Sequence, residues 1–255
     1  MSATIDKDQI LLDYHSVRMK YLLDLYSKAR TGAQKHLHRG LLVRINMMQE
    51  SVVELYEELD SADGPLSRHL ASRLTLLINA FYLNLAGSLE NLAWAIIYQH
   101  GLRDPVNEDC PNQRKLAQLL GPKLLNELSQ NGLNELKAEL MAKRNWYKEV
   151  KEFRDLAAHR IPLLAPPSIL SKEDVDEQRR LDSNAAELFP KGNYTEGMLT
   201  TQQIDRLGKQ LPWFTSETTS LQMYDLAGRI NLDHSKWHIL VSISLSLGFS
   251  QAFYQ

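Results

Sequence analysis

The stretch between Leu66 and Tyr98 constrains this chain more than any other. Leu70, Leu74, Leu77, Ile78, Phe81, Leu85, Leu89, Leu92 and Ile96 cover much of a helical circumference. A helix that is apolar on most sides has to be covered on most sides. The spacing therefore predicts a long helix over 66–98 at the centre of a helical bundle. The same segment carries Asn84, Gly87, Ser88, Glu90 and Asn91. Polar groups on a central helix need partners or a cavity. A glycine inside a helix costs about 1 kcal/mol relative to alanine, so Gly87 points to close approach of another helix.

The rest of the chain reads as helices around that centre. Apolar spacing predicts helices over 6–30, with Gly32 as the stop, and over 41–59, ended by Asp63-Gly64-Pro65. A polar loop over 101–112 precedes short helices over 113–120 and 123–128. Another helix begins near Asn131–Leu133 and runs, with a break near Asn145, to His159. Pro162 forbids its continuation and makes Ile161 extended. An apolar extended strip over 161–167 leads to a charged helix capped by Ser171. A turn-rich loop over 190–197 and a helix over 200–210 follow. The strip and these helices, 161–215, read as an inserted arm that folds back on the bundle, since its apolar residues are too few for a core of its own. Over 237–249, Val241, Ile243, Leu245, Leu247 and Phe249 alternate with Ser or Gly. A lone strand in a helical chain has no partner, so a helix over 233–252 is the better reading. The expectation is one all-α domain over 1–255.

A formal net charge of −2 gives no global attraction to nucleic acid, so any such contact needs a local basic patch. The single cysteine, Cys110, excludes an intrachain disulfide and fits a reducing cytoplasm. No apolar run stands near the start, and 237–249 is too short to span a bilayer. A soluble cytoplasmic protein is expected. Gly-rich phosphate loops, His-Glu-x-x-His, paired cysteines and Gly-x-Ser-x-Gly are all missing. His36 and His38 form a lone His-x-His pair, which is weak ground for a metal, and no metal or cofactor is expected.

Arg154-Asp155-Leu156-Ala157-Ala158-His159 is the strongest chemical motif. Arginine can stabilise a phosphate transition state and histidine can move a proton near neutral pH. Spacing alone does not single it out: Arg30 with His36 and Arg229 with His234 are similarly spaced. Context does. Asp155 lies four residues before His159, on nearly one helical face, where it could orient the imidazole. Arg144, Lys148, Lys151 and Arg160 add positive charge for a phosphate ligand such as RNA, and Ala157 and Ala158 leave space beside His159. Against this, residues five apart on a helix point about 140° from each other. Either the helix unwinds before Pro162, or the site is built where two copies meet.

Residues 153–162 resemble the signature of the HEPN superfamily: a helix ending in Arg, a polar residue, a short spacer and His. Residues 79–93, with Asn84, Glu90 and Asn91 as supporting polar groups, are similar to the long upstream helix of many members, and 160–163 with 166–167 and 207–209 with 212–215 resemble segments of uncharacterised bacterial HEPN-like proteins. The resemblance covers 60–165 best. It implies an all-α HEPN-like bundle with a partly helical insertion after the motif, acting as a homodimer. It also implies a metal-independent endoribonuclease of the kind found among toxins and antiviral effectors, some held by an antitoxin. His159 would then be the general acid/base, Arg154 the phosphorane stabiliser and Asp155 the orienting group, giving 2′,3′-cyclic phosphate products. One subgroup has a tyrosine two residues after the histidine. Ile161 stands there in this chain, which argues against control by nucleotidylation at that position. Other members only bind nucleotides or partners, so a non-catalytic dimer is the alternative.

Overall fold

The computed structural model describes residues 5–60, 66–102, 117–166, 168, 170–208, 213–217 and 220–250. More than three quarters is helical, so the all-α expectation holds. In chain order the elements are α1 (Lys7–Lys20), α2 (Thr31–Lys35), α3 (Leu42–Asp60), α4 (Arg68–His100), α5 (Pro122–Gln130), α6 (Asn134–Ala142) and α7 (Arg144–His159). They continue with α8 (Lys172–Leu188), α9 (Tyr194–Ile204), β1 (Trp213–Glu217), β2 (Leu221–Asp225) and α10 (Leu226–Ser250). Two π-helical segments, Tyr21–Leu25 and His36–Leu41, extend α1 and lead into α3. No helix among the described residues is long and apolar enough to cross a membrane.

The central helix is where the apolar pattern puts it. Ser67 caps α4 by accepting from Leu70 N, and Gly101 ends it at φ 58°, a left-handed geometry suited to glycine. Residues 84–89 are all buried. Helices α3, α7, α2 and α10 cover α4 on different sides, with α3 making the longest contact. Two polar groups on α4 tie it to neighbouring elements. Asn79 brackets Leu163, donating to its carbonyl at 2.8 Å and accepting from its N–H at 3.1 Å. Ser88 accepts from Trp237 Nε1 at 2.7 Å.

Several expectations need correction. The first helix stops before Arg30, which is extended at ψ 153°, and Gly32 lies inside α2 instead of ending α1. A Cβ on Gly32 would sit 2.4 Å from the Tyr98 ring, so glycine is what lets α2 press on α4. Gly87 does admit a close neighbour, but it is the Arg44 guanidinium: an added Cβ would lie 2.3 Å from its Cζ. The break before α7 falls at Lys143, and α9 begins at Tyr194, within the stretch expected to be a loop. Residues 117–120 are not helical, and the start of the expected 113–120 helix, like most of the loop and Cys110, lies outside the described residues.

The unforeseen element is a hairpin. Strands β1 and β2 pair antiparallel, with Phe214 opposite Tyr224 and their rings stacked at 5.2 Å. Leu164 bridges to Thr215, so the apolar strip after α7 has a partner. The strip and the hairpin join the bundle core through Leu163, Ala165 and Phe214. Helices α8 and α9 pack chiefly on each other, and their buried Leu181, Ala185 and Ile204 lie outside that core. Only the base of the arm therefore folds back on the bundle. Ser171 does cap α8, in a reciprocal pairing with Asp174.

Candidate functional site

Helix α7 carries the motif and is amphipathic enough to be fixed by burial. Trp146, Tyr147, Val150, Phe153 and Leu156 face the core. The helix stays regular to His159 and ends at Arg160, which is extended at φ −135°, two residues before Pro162. No unwinding swings His159 round. Arg154 and His159 point about 140° apart in one chain.

Arg154 faces α4. Its terminal nitrogen donates to Glu90 Oε1 at 3.4 Å, a long bond for an ion pair. Its Nε lies 3.1 Å from Asp155 Oδ1, but the N–H is misdirected and the buried Nε has no hydrogen-bond acceptor. A guanidinium has five N–H donors, so this one keeps most of its capacity free. Asp155 therefore sits against Arg154 and not against His159, and the expected orienting contact is not made. His159 is exposed and makes no hydrogen bond among the described residues.

Of the supporting residues, only Glu90 meets the motif. Asn84 accepts from Arg44 at 3.2 Å, and Asn91 lies 3.5 Å from His36 Nδ1, both on the α3 side of α4. Arg144, Lys148 and Arg160 are exposed and Lys151 is half-buried, interspersed with Glu149 and Glu152. The basic face of α7 is thus mixed in sign. His36 of the His-x-His pair is buried and stacks on Trp94 and Tyr98.

Tyr147 was not anticipated. It lies two turns before Arg154 on the same face, which the spacing could have revealed. Burial, with Glu90 adding to it, pushes its hydroxyl well above the usual phenol range. It stays a neutral donor beside Glu90, Arg154 and Asp155.

A second group was missed entirely. Asp13 on α1 has one oxygen 3.1 Å from His234 Nε2 and 3.4 Å from His238 Nδ1, both on α10. Gln9 donates to its other oxygen at 2.7 Å. A cavity of about 500 Å³ opens beside these residues. The partners are more than 220 residues apart, so nothing local announces them. No protein-family model matches the chain, and neither the curated proteins nor the solved structures contain a match.

Proposed function

We propose that this chain is a metal-independent endoribonuclease that works as a homodimer, with Arg154 of one copy and His159 of the other forming each site. The observation that carries this reading is Arg154 itself. It is three-quarters buried yet bound by one long hydrogen bond, with an orphaned Nε–H. Such a group is poised for an anion with several acceptor oxygens, as a phosphodiester has. The opposed directions of Arg154 and His159 support a site completed by a second copy. His159, exposed at a helix end, would take the ribose 2′-OH proton or give one to the leaving 5′-oxygen. Tyr147 would supply a further neutral donor. No residue of the chain need hold a metal for this.

The second reading, a non-catalytic dimer binding a nucleotide or protein partner, is favoured by one observation: no carboxylate orients His159 in the single chain. Incubation of mixed RNA with EDTA separates the two. Wild-type protein should yield 2′,3′-cyclic phosphate ends. His159→Ala and Arg154→Ala should each lose roughly 100-fold or more. Mixing the two dead variants should restore about a quarter of wild-type activity, since a mixed dimer keeps one intact site. RNA left intact by wild type would sink the nuclease. Cleavage that mixing does not restore would sink the shared site alone.

A further inference from the structure

The candidate site brings too little positive charge to hold a nucleic acid. Glu90 and Asp155 outnumber Arg154, and the basic residues of α7 alternate with acids. The charge is elsewhere. Five of the chain's 29 Lys and Arg, and none of its 31 Asp and Glu, fall between Leu25 and Gln49. That run, Lys28, Arg30, Lys35, Arg39 and Arg44 with His36 and His38, begins in the turn before α2 and continues through α2, the second π segment and the start of α3.

The fold turns part of this run into a groove. Two cavities of about 240 and 260 Å³ adjoin through a shared wall residue, Val43. Arg18, Arg39 and Arg44 line them, and no carboxylate does. Two of these arginines are positioned by amides, and none is neutralised by an acid. Arg18 donates to Asn46 and to Gln49, the latter at 2.8 Å, and Arg44 donates to Asn84. None of the three pairs with a carboxylate among the described residues. Gly87 is what lets the Arg44 guanidinium lie flat against α4. Asn91 also lines the groove, and the next residue back, Glu90, reaches Arg154. The groove and the candidate site are adjoining faces of one helix.

We infer that this groove binds the phosphodiester backbone of a single RNA strand and delivers it across α4 to Arg154. The anion-binding character stands on the groove alone; the choice of RNA rests on the functional reading above. Amide-held arginines offer fixed N–H forks for phosphate oxygens, and the field of an acid-free patch counters the chain's net negative charge locally.

The test is binding of a short fluorescein-labelled single-stranded RNA by the full-length chain, with EDTA, across a salt series. Arg39 is exposed and bonded to nothing among the described residues, so Arg39→Glu should not disturb the fold, which a thermal melt checks. It should weaken binding roughly tenfold at about 50 mM salt, while Arg39→Lys stays near wild type. Arg44→Gln should lower the salt slope by about 1. Lys148→Glu on α7 should change affinity less than Arg39→Glu. RNA binding that ignores both Arg39→Glu and Arg44→Gln overturns the groove, as does a wild-type chain that binds polyglutamate there and no RNA. The two readings fail separately. Cleavage dependent on His159 with groove-independent binding leaves the nuclease standing without the groove. Groove-dependent binding without cleavage leaves the groove standing without the nuclease.

Discussion

The chain contains the same pair twice, and the fold uses the copies in opposite ways. Arg229 and His234 on α10 have the spacing of Arg154 and His159 on α7. Arg229 donates to Asp233 at 2.7 Å and to Glu149 at 2.8 Å, and its guanidinium lies over the Phe153 ring at 5.0 Å. Asp233 is fully buried and also accepts from Tyr82 and Trp146, each at 2.9 Å. His234 is buried against Asp13. Arg154 has one long bond, and His159 has none. What separates the pairs is the partner set, not the spacing: the α10 pair is spent on holding the fold, and the α7 pair is left open. They are also linked, because Arg229 grips Trp146 through Asp233, and Glu149 and Phe153 directly, and so aims the helix that carries Arg154.

The largest expected contrast lies between the two aspartates. Asp233→Ala leaves a buried tyrosine, an indole and part of a guanidinium without their acceptor. It should cost about 3–5 kcal/mol in urea-unfolding free energy. Asp155→Ala removes a half-exposed, misaligned contact and should cost less than about 1 kcal/mol. Equal losses would erase the distinction between the regions.

The histidines give the next contrast. Burial depresses His234 to about 4, against the upward pull of Asp13 and helped by neighbouring His238. The native state therefore holds a neutral ring, while the unfolded chain takes a proton near pH 6.5. A depressed histidine contributes its full stability above the unfolded value and loses it as pH falls from about 6.5 towards 4. The loss is about 3 kcal/mol in all. Unfolding free energies at pH 7 and near pH 4 should thus differ more in wild type than in His234→Gln by about that amount. The same slope in both would mean that His234 is charged in the folded protein.

How much of this was readable depends on the distance over which each feature is built. The α4 core, the Ser171 cap and the stop before Pro162 are written in neighbouring residues. So is α10, where Leu240, Val241, Leu245 and Phe249 are buried at helical intervals despite the apparent alternation. The hairpin was not legible. Its pairing needs Leu164, some 50 residues from Thr215, and the Phe214–Tyr224 stack needs Phe153 beneath it. Asp233 reads as one acid among many until Tyr82 and Trp146 arrive from 151 and 87 residues away. Glu90 was legible as a charge on an apolar helix, though not which arginine it would face. The acid-free run over 25–49 is also local, but a net charge of −2 summed over the whole chain hides it.

The finest test is Glu90→Gln. Glu90 is partly exposed and 3.4 Å from Arg154, so its removal should shift stability by less than about 1 kcal/mol. Its effect should appear instead as a gain: Arg154 loses a competitor, and affinity for the short RNA should rise a few-fold at low salt, measured by fluorescence anisotropy. Glu149→Gln at Arg229 has the same form but should give no such gain, because Asp233 still holds that guanidinium behind a wall of aromatic rings. A gain at neither position would mean that Arg154, like Arg229, is already committed to the fold. Its orphaned Nε–H would then mark strain in the packing and not readiness for a ligand.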